Sequence, residues 1–320
     1  MRDQLIGSLC RKAAALTAVL LGLGLSGCAT FHTTDLTTLK GLPPRASVAD
    51  VPFFPQKDKY CGPASLAMAL TWSGKPVNQD EAARMTFTPG RDGTFRTDMV
   101  TAALRYGRLP VRLRNLDAVL KELAAGRPVI IFQNLGLSIW HVWHYAVLTG
   151  YDLDHQSLTM HSGKDENETL GIHLFERTWR RGDNWAIVVL PPDTLPVAAE
   201  ERDVLEAASG LERVKHYDAA TSAFRAIATK WPRNWAAYFG LGNVSFAEDK
   251  FAAAEAAYRK ALAIRPEDAD IWNNLAYALA RQGRRKDAVD AARRAVASTS
   301  GDKAPFEQTL AEISGQTPAP

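Results

Sequence analysis

The chain reads as two architectures in succession: an α+β domain over residues 46–195, then an all-α domain of helical hairpins over residues 200–310. Three observations carry that reading. Helix formers dominate from Cys61 to Ala124, whereas short β-branched runs gather between Pro128 and Leu190, and helices first with strands later is an α+β order. The proline-rich stretch Pro191-Pro192-Asp193-Thr194-Leu195-Pro196 then reads as a linker. Beyond about residue 200 alanine dominates without any strand signal, and Pro232 and Pro266 stand 34 residues apart.

In chain order, the first segment is a targeting device. Arg2, Arg11 and Lys12 precede the apolar run Ala13 to Leu25, too short to span a bilayer but right for the centre of a secretory signal. Leu25-Ser26-Gly27-Cys28 resembles the bacterial lipobox. That resemblance implies removal of residues 1–27 and lipidation of Cys28, followed by a linker over residues 28–45. Several acyl chains anchor far better than one, at about 0.8 kcal/mol per buried methylene. Ala29 stands where an aspartate would be the retention signal for the inner membrane, so the expected location is the periplasmic face of the outer membrane. A net charge of +3, with basic and acidic residues interspersed, argues against nucleic acid as a partner.

In the α+β domain, helices are expected over Cys61–Trp72, Gln79–Met85, Arg96–Tyr106 and Leu116–Ala124. Asn115 is an N-cap for the last, and Gly126 closes it before Pro128. Strands are expected over Pro128–Gln133, Tyr145–Thr149, Leu158–Met160 and Ala186–Leu190. Between the first two strands, Leu135 to Trp143 holds Gly136, Ser138 and the tryptophans Trp140 and Trp143. Core packing is the commoner fate of tryptophan; the other reading has this pair walling a peptide groove.

With Cys10 in the signal and Cys28 lipidated, Cys61 is the only thiol left to the mature chain, so no intramolecular disulfide forms. It is either an inert buried residue or a thiol kept for chemistry. Pro63 suits the first turn of a helix, which puts Cys61 at the helix N-terminus, where the macrodipole and free N–H groups lower a thiol pKa. His144 heads a strand and could be held against a nucleophile. His141 and His144 also suggest a metal pair, but no third ligand cluster accompanies them, and neither metal nor cofactor is expected. The Gln56 amide, five residues before Cys61, could donate to an oxyanion together with the Cys61 N–H.

Gln56, Cys61-Gly62-Pro63-Ala64 and His144-Tyr145-Ala146-Val147-Leu148-Thr149-Gly150-Tyr151-Asp152 together resemble the peptidase C39 and C39-like group. These are papain-fold cysteine peptidases whose transporter-linked members remove double-glycine leaders. The resemblance implies Cys61 as nucleophile, His144 as general base and then acid, and Gln56 as oxyanion donor. The family usually carries an aspartate at the end of the next strand to orient the imidazole. Here Ser157-Leu158-Thr159-Met160-His161-Ser162-Gly163 puts His161 or Ser162 in that place, with Asp165 a few residues on. Ser162, a backbone carbonyl or Asp165 could hold the ring.

In the tail, Tyr238, Leu241, Gly242, Ala254, Tyr258, Ala261 and Pro266 resemble the tetratricopeptide pattern. A downstream copy is carried by Trp272, Leu275, Ala276, Ala288 and Ala295, and a degenerate upstream copy by Ala208, Ala220, Phe224 and Pro232. Three hairpins are about the minimum that stack into a core, and residues 311–320 are expected to fray. Two functions follow. One is a lipid-anchored envelope cysteine peptidase, acting through a thioester, whose repeats recruit a protein substrate or partner. The other is an assembly lipoprotein that binds peptide without cutting it. A transpeptidase or other acyl transferase would use the same residues.

Overall fold

A computed structural model describes residues 34–88, 90, 93–137 and 139–315. The signal segment, Cys28, Ser138 and Pro318-Ala319-Pro320 lie outside the described residues. Every element below belongs to the compact unit Thr37–Pro320.

Among the described residues, one antiparallel sheet runs in the order β4-β9-β5-β6-β7-β8. Its strands are β4 (Leu109–Leu113), β5 (Val129–Asn134), β6 (Trp143–Asp152), β7 (Ser157–Ser162), β8 (Asp165–Gly171) and β9 (Ala186–Leu190). A short β1 (Arg45–Ser47) pairs with the far end of β6, Arg45 opposite Asp152. Helix α1 (Cys61–Trp72) lies on one face, where buried Leu66 and Leu70 join Ile130, Val147 and Ile187 in one cluster. Fully burying side chains of this kind stabilises by about 1.5–3 kcal/mol each. Against α1 stand α2 (Gln79–Thr86), capped by an Asn78–Glu81 capping box, and α3 (Arg96–Arg105). The other face carries α4 (Leu116–Ala124), with Asn115 accepting from the Ala118 N–H as its N-cap, and α5 (Ile172–Arg180). A two-stranded hairpin, β2 (Phe87–Thr88) with β3 (Gly93–Thr94), sits at the start of α1.

The remaining elements are helical. α6 (Glu201–Arg213) with α7 (Tyr217–Lys230), α8 (Trp235–Ala247) with α9 (Phe251–Ile264) and α10 (Ala269–Arg281) with α11 (Arg285–Ser298) form three stacked hairpins. A Cβ added at Gly242 would collide with the Tyr258 ring, and one at Gly240 with Phe224. Close helix approach therefore requires glycine at both positions. The tail expected to fray from residue 311 is instead ordered through Ser314. α12 (Ala304–Ser314) closes the last hairpin, its Leu310 and Ile313 packing on the α10–α11 core, and ends on left-handed Gly315.

The proline-rich stretch is not a free linker. The Arg127 guanidinium donates to Leu195 O (2.9 Å), the Ala198 N–H to buried Glu122 (2.9 Å) and Lys230 Nζ to Pro196 O (3.1 Å). α6 then packs across β4, and Arg114 grips the buried carboxylate of Asp203 through two guanidinium nitrogens (2.5 and 2.9 Å). The segment ties the two parts together because buried polar groups recruit it.

Candidate active site

The thiol is positioned by the first turn of α1. Tyr60, ahead of the helix, offers no side-chain cap, so the Cys61 and Gly62 N–H groups stay clear of helix bonding. The Cys61 and Gly62 backbone favours the thiolate at this position, as does the Tyr145 backbone of β6. The Tyr145 contribution has a topological origin. Phe132, opposite Tyr145, donates its own N–H to Trp185 O, so the Tyr145 N–H points away from β5 and past the end of β7. The sulfur thus lies beside β6 at the place where β7 stops. Thr94 packs over Gly62 so closely that an added Cβ would come within 2.8 Å of it, and Thr94 O accepts from the Tyr145 hydroxyl at 3.2 Å.

Ser162, the last residue of β7, brings its Oγ to 3.1 Å from His144 Nε2. The other ring nitrogen, Nδ1, keeps no hydrogen bond among the described residues. His161 alternates to the opposite face, 3.4 Å from Val51 O and packed on Phe53 at 5.3 Å between ring centroids. Ser162, not His161, therefore stands where a carboxylate would orient the ring. The next residue, Gly163, accepts the Gln56 N–H at 2.9 Å, which draws the Gln56 loop to the same corner. Gln79 clamps that loop on both sides, accepting from Lys57 N and donating to Pro55 O, each at 3.1 Å. Gln56 Oε1 is buried with no partner, as is Thr94 Oγ1.

Two sequence expectations are corrected here. The helix N-terminus was expected to lower the thiol pKa, yet burial pushes the Cys61 thiol up, and the three backbone N–H groups offset this only in part. The cause is tertiary: Cys61 packs against the core cluster of α1 and β6. Burial likewise pulls His144 below its ordinary value, outweighing the opposing charge of Glu168. The resting pair is a neutral thiol and a neutral imidazole, and no hydrogen bond joins them. The tryptophans are also not core residues, because Trp140 and Trp143 are both exposed. Gln79, Thr94 and the Tyr145 N–H carried no local sequence signal, since each reaches the site only through tertiary contacts. Among the described residues, no cluster of three or more His, Cys, Asp or Glu could hold a metal ion.

Residues 48–185 match the Peptidase_C39 like family. This part of the chain is a C39-like domain. Residues 242–283 and 269–300 match tetratricopeptide repeats, so the chain joins a C39-like domain to a repeat array. Among solved structures, a C39-like peptidase from Bacillus anthracis is 21% identical with a TM-score of 0.39, over 46% of this chain and 98% of that one. A double glycine motif protease from an AMS/PCAT transporter, in complex with its leader peptide, is 24% identical with a TM-score of 0.35, over 45% of this chain and 92% of that one. YrrB, a tetratricopeptide protein with an unusual peptide-binding site, is 21% identical with a TM-score of 0.33, over 36% of this chain and 58% of that one. No curated protein matches the chain.

Proposed function

We propose that this protein is a cysteine peptidase of the cell envelope, lipid-anchored at Cys28 on the periplasmic face of the outer membrane, whose repeats recruit a protein substrate or partner. The observation that carries the catalytic part is the convergence at the β6–β7 corner. The helix that starts at Cys61 packs on β6, whose Tyr145 backbone favours the Cys61 thiolate; the next residue back, His144, is held through one nitrogen by Ser162 with the other free, and Gln56 is tied to the turn that follows. In this reading His144 takes the thiol proton as the sulfur attacks a peptide carbonyl, and the oxyanion forms beside the Cys61 N–H. The Gln56 amide, with one end unpaired in the resting protein, turns its NH2 toward the oxyanion. His144 then passes its proton to the leaving amine, and water attacks the thioester.

An active-site thiol probe is expected to label the wild type and not Cys61→Ser, and His144→Ala should lose turnover; undiminished peptide cleavage by Cys61→Ser would reject the mechanism. The raised thiol pKa and the hydroxyl in place of a carboxylate favour a second reading, a peptide-binding scaffold that does not cut. That reading requires an unreactive thiol and partner binding that survives Cys61→Ser. Crosslinking in envelope preparations with Cys61→Ala as a trap identifies the bound protein in either case.

A further inference from the structure

The connection between β5 and β6, Leu135 to Val142, together with the first residue of β6, Trp143, contains no Asp, Glu, Lys or Arg. It holds six of the nine exposed large hydrophobic side chains among the described residues. Exposure rises toward its tip: Leu135, Val142 and Trp143 are about half exposed, whereas Leu137 is 66%, Trp140 76% and Ile139 88% exposed. Soluble surfaces scatter such residues singly, so this concentration marks a contact surface.

The projection is built rather than slack. Buried Asn134 accepts from the Gly136 and Val142 N–H groups (3.0 and 2.8 Å), Leu135 N donates to Val142 O (2.8 Å), and Trp140 N donates to Leu137 O (3.2 Å). Trp143 stacks between Phe132 and His141, at 5.1 and 4.9 Å. At its foot stand two guanidinium groups. Arg181 donates to Asn134 O, and Arg96, paired with Asp183, lies 5.5 Å over the Phe132 ring.

We propose that this finger inserts into the headgroup–acyl boundary of an anionic bilayer, with Leu137, Ile139 and Trp140 in the apolar layer and Arg96 and Arg181 at phosphate level. An exposed, uncharged apolar tip with Arg181 and the Asp183-paired Arg96 at its foot suits a soft apolar phase with a negative surface, and tryptophan concentrates at that boundary. Reach is no obstacle. Sixteen residues, 29–44, separate Cys28 from the start of β1 at Arg45, a stretch that extends up to about 60 Å. On the peptidase reading, on which this step rests, insertion brings His144 to the bilayer surface and makes membrane-proximal polypeptide the substrate class.

The test uses the chain from residue 34 onward, which lacks the lipid, in flotation with phosphatidylethanolamine–phosphatidylglycerol vesicles and with phosphatidylcholine vesicles. The wild type is expected to float with the anionic vesicles, with brominated lipid quenching an emission component that Trp140→Phe removes. Ile139→Asp with Trp140→Asp is expected to cut the bound fraction by about tenfold or more, with an unchanged far-ultraviolet circular dichroism spectrum and thermal midpoint. A wild type that stays in the soluble fraction, or a double variant that floats as well, overturns the proposal. So does a double variant whose sole effect is a raised KM for peptide, which would assign the finger to substrate. Cys61→Ser should float like the wild type, and a wild type that floats yet takes up no thiol probe sinks the peptidase reading alone.

Discussion

Replacing Ser162 by aspartate would put a carboxylate where a hydroxyl now sits 3.1 Å from His144 Nε2. Two unit charges about 4 Å apart at an effective dielectric of about 20 attract by about 4 kcal/mol. Ser162 is half-buried, so desolvation of the new carboxylate offsets much of that, leaving about 1–2 kcal/mol. This raises the imidazole pKa by about one unit. The imidazolium in turn stabilises the thiolate of Cys61, whose pKa burial now holds above its ordinary value. The assay needs no substrate: the rate of alkylation of Cys61 by iodoacetamide, measured against pH. In the wild type the rate should climb through an inflection above the ordinary thiol range. In Ser162→Asp that inflection should fall by about one unit, and in Ser162→Ala it should not fall. A properly folded Ser162→Asp protein with an unmoved inflection would refute the proposal that His144 lies within electrostatic reach of the Cys61 sulfur.

Other consequences are testable in the same preparations. Gly242→Ala forces a methyl group into the Tyr258 ring and should cost about 1–3 kcal/mol of stability, read as a lower thermal midpoint, whereas alanine at exposed Gly301 should be nearly silent. Arg114→Ala strips the partner from the buried Asp203 carboxylate. Because Arg114 is 44% exposed, the loss should be about 1–3 kcal/mol rather than that of a fully buried pair, with faster proteolysis between residues 191 and 200. His144 and His161 both have pKa values depressed by burial, so the unfolded chain takes up more protons. Their stabilisation is present above the unfolded value of 6.5 and is lost as pH falls toward the folded values. The urea midpoint should drop between about pH 7 and pH 5, and His161→Gln should flatten that slope.

Local signals explain which parts of the fold were legible. Cys61–Trp72, Leu116–Ala124 and Ala186–Leu190 have the bounds read from sequence, since a capping residue, a glycine stop or an unbroken apolar run marks each. β4 was invisible because Pro110 sits within it, tolerated only because β4 is the terminal strand of the sheet. β8, Asp165-Glu166-Asn167-Glu168-Thr169-Leu170-Gly171, has the composition of a loop and becomes a strand only by pairing with β7. At the site, Cys61, His144 and Gln56 stood out by residue type and order. The choice of Ser162 over His161 depended on strand alternation set by register, and the direction of the thiol shift on burial. A helix-end argument sees neither.

The sheet ends in two differently treated rims. β8 presents Asp165, Glu166 and Glu168 to solvent, a charged margin that discourages another chain from adding on. β4 carries only Pro110 and the half-buried Arg112 among buried apolar residues, and what covers it is α6, the opening helix of the repeat array. The repeats are thus structurally part of the domain they follow. A fragment ending near residue 195 would leave an unprotected strand open to self-association, so the shortest well-behaved C39-like unit of this chain extends at least through the first hairpin.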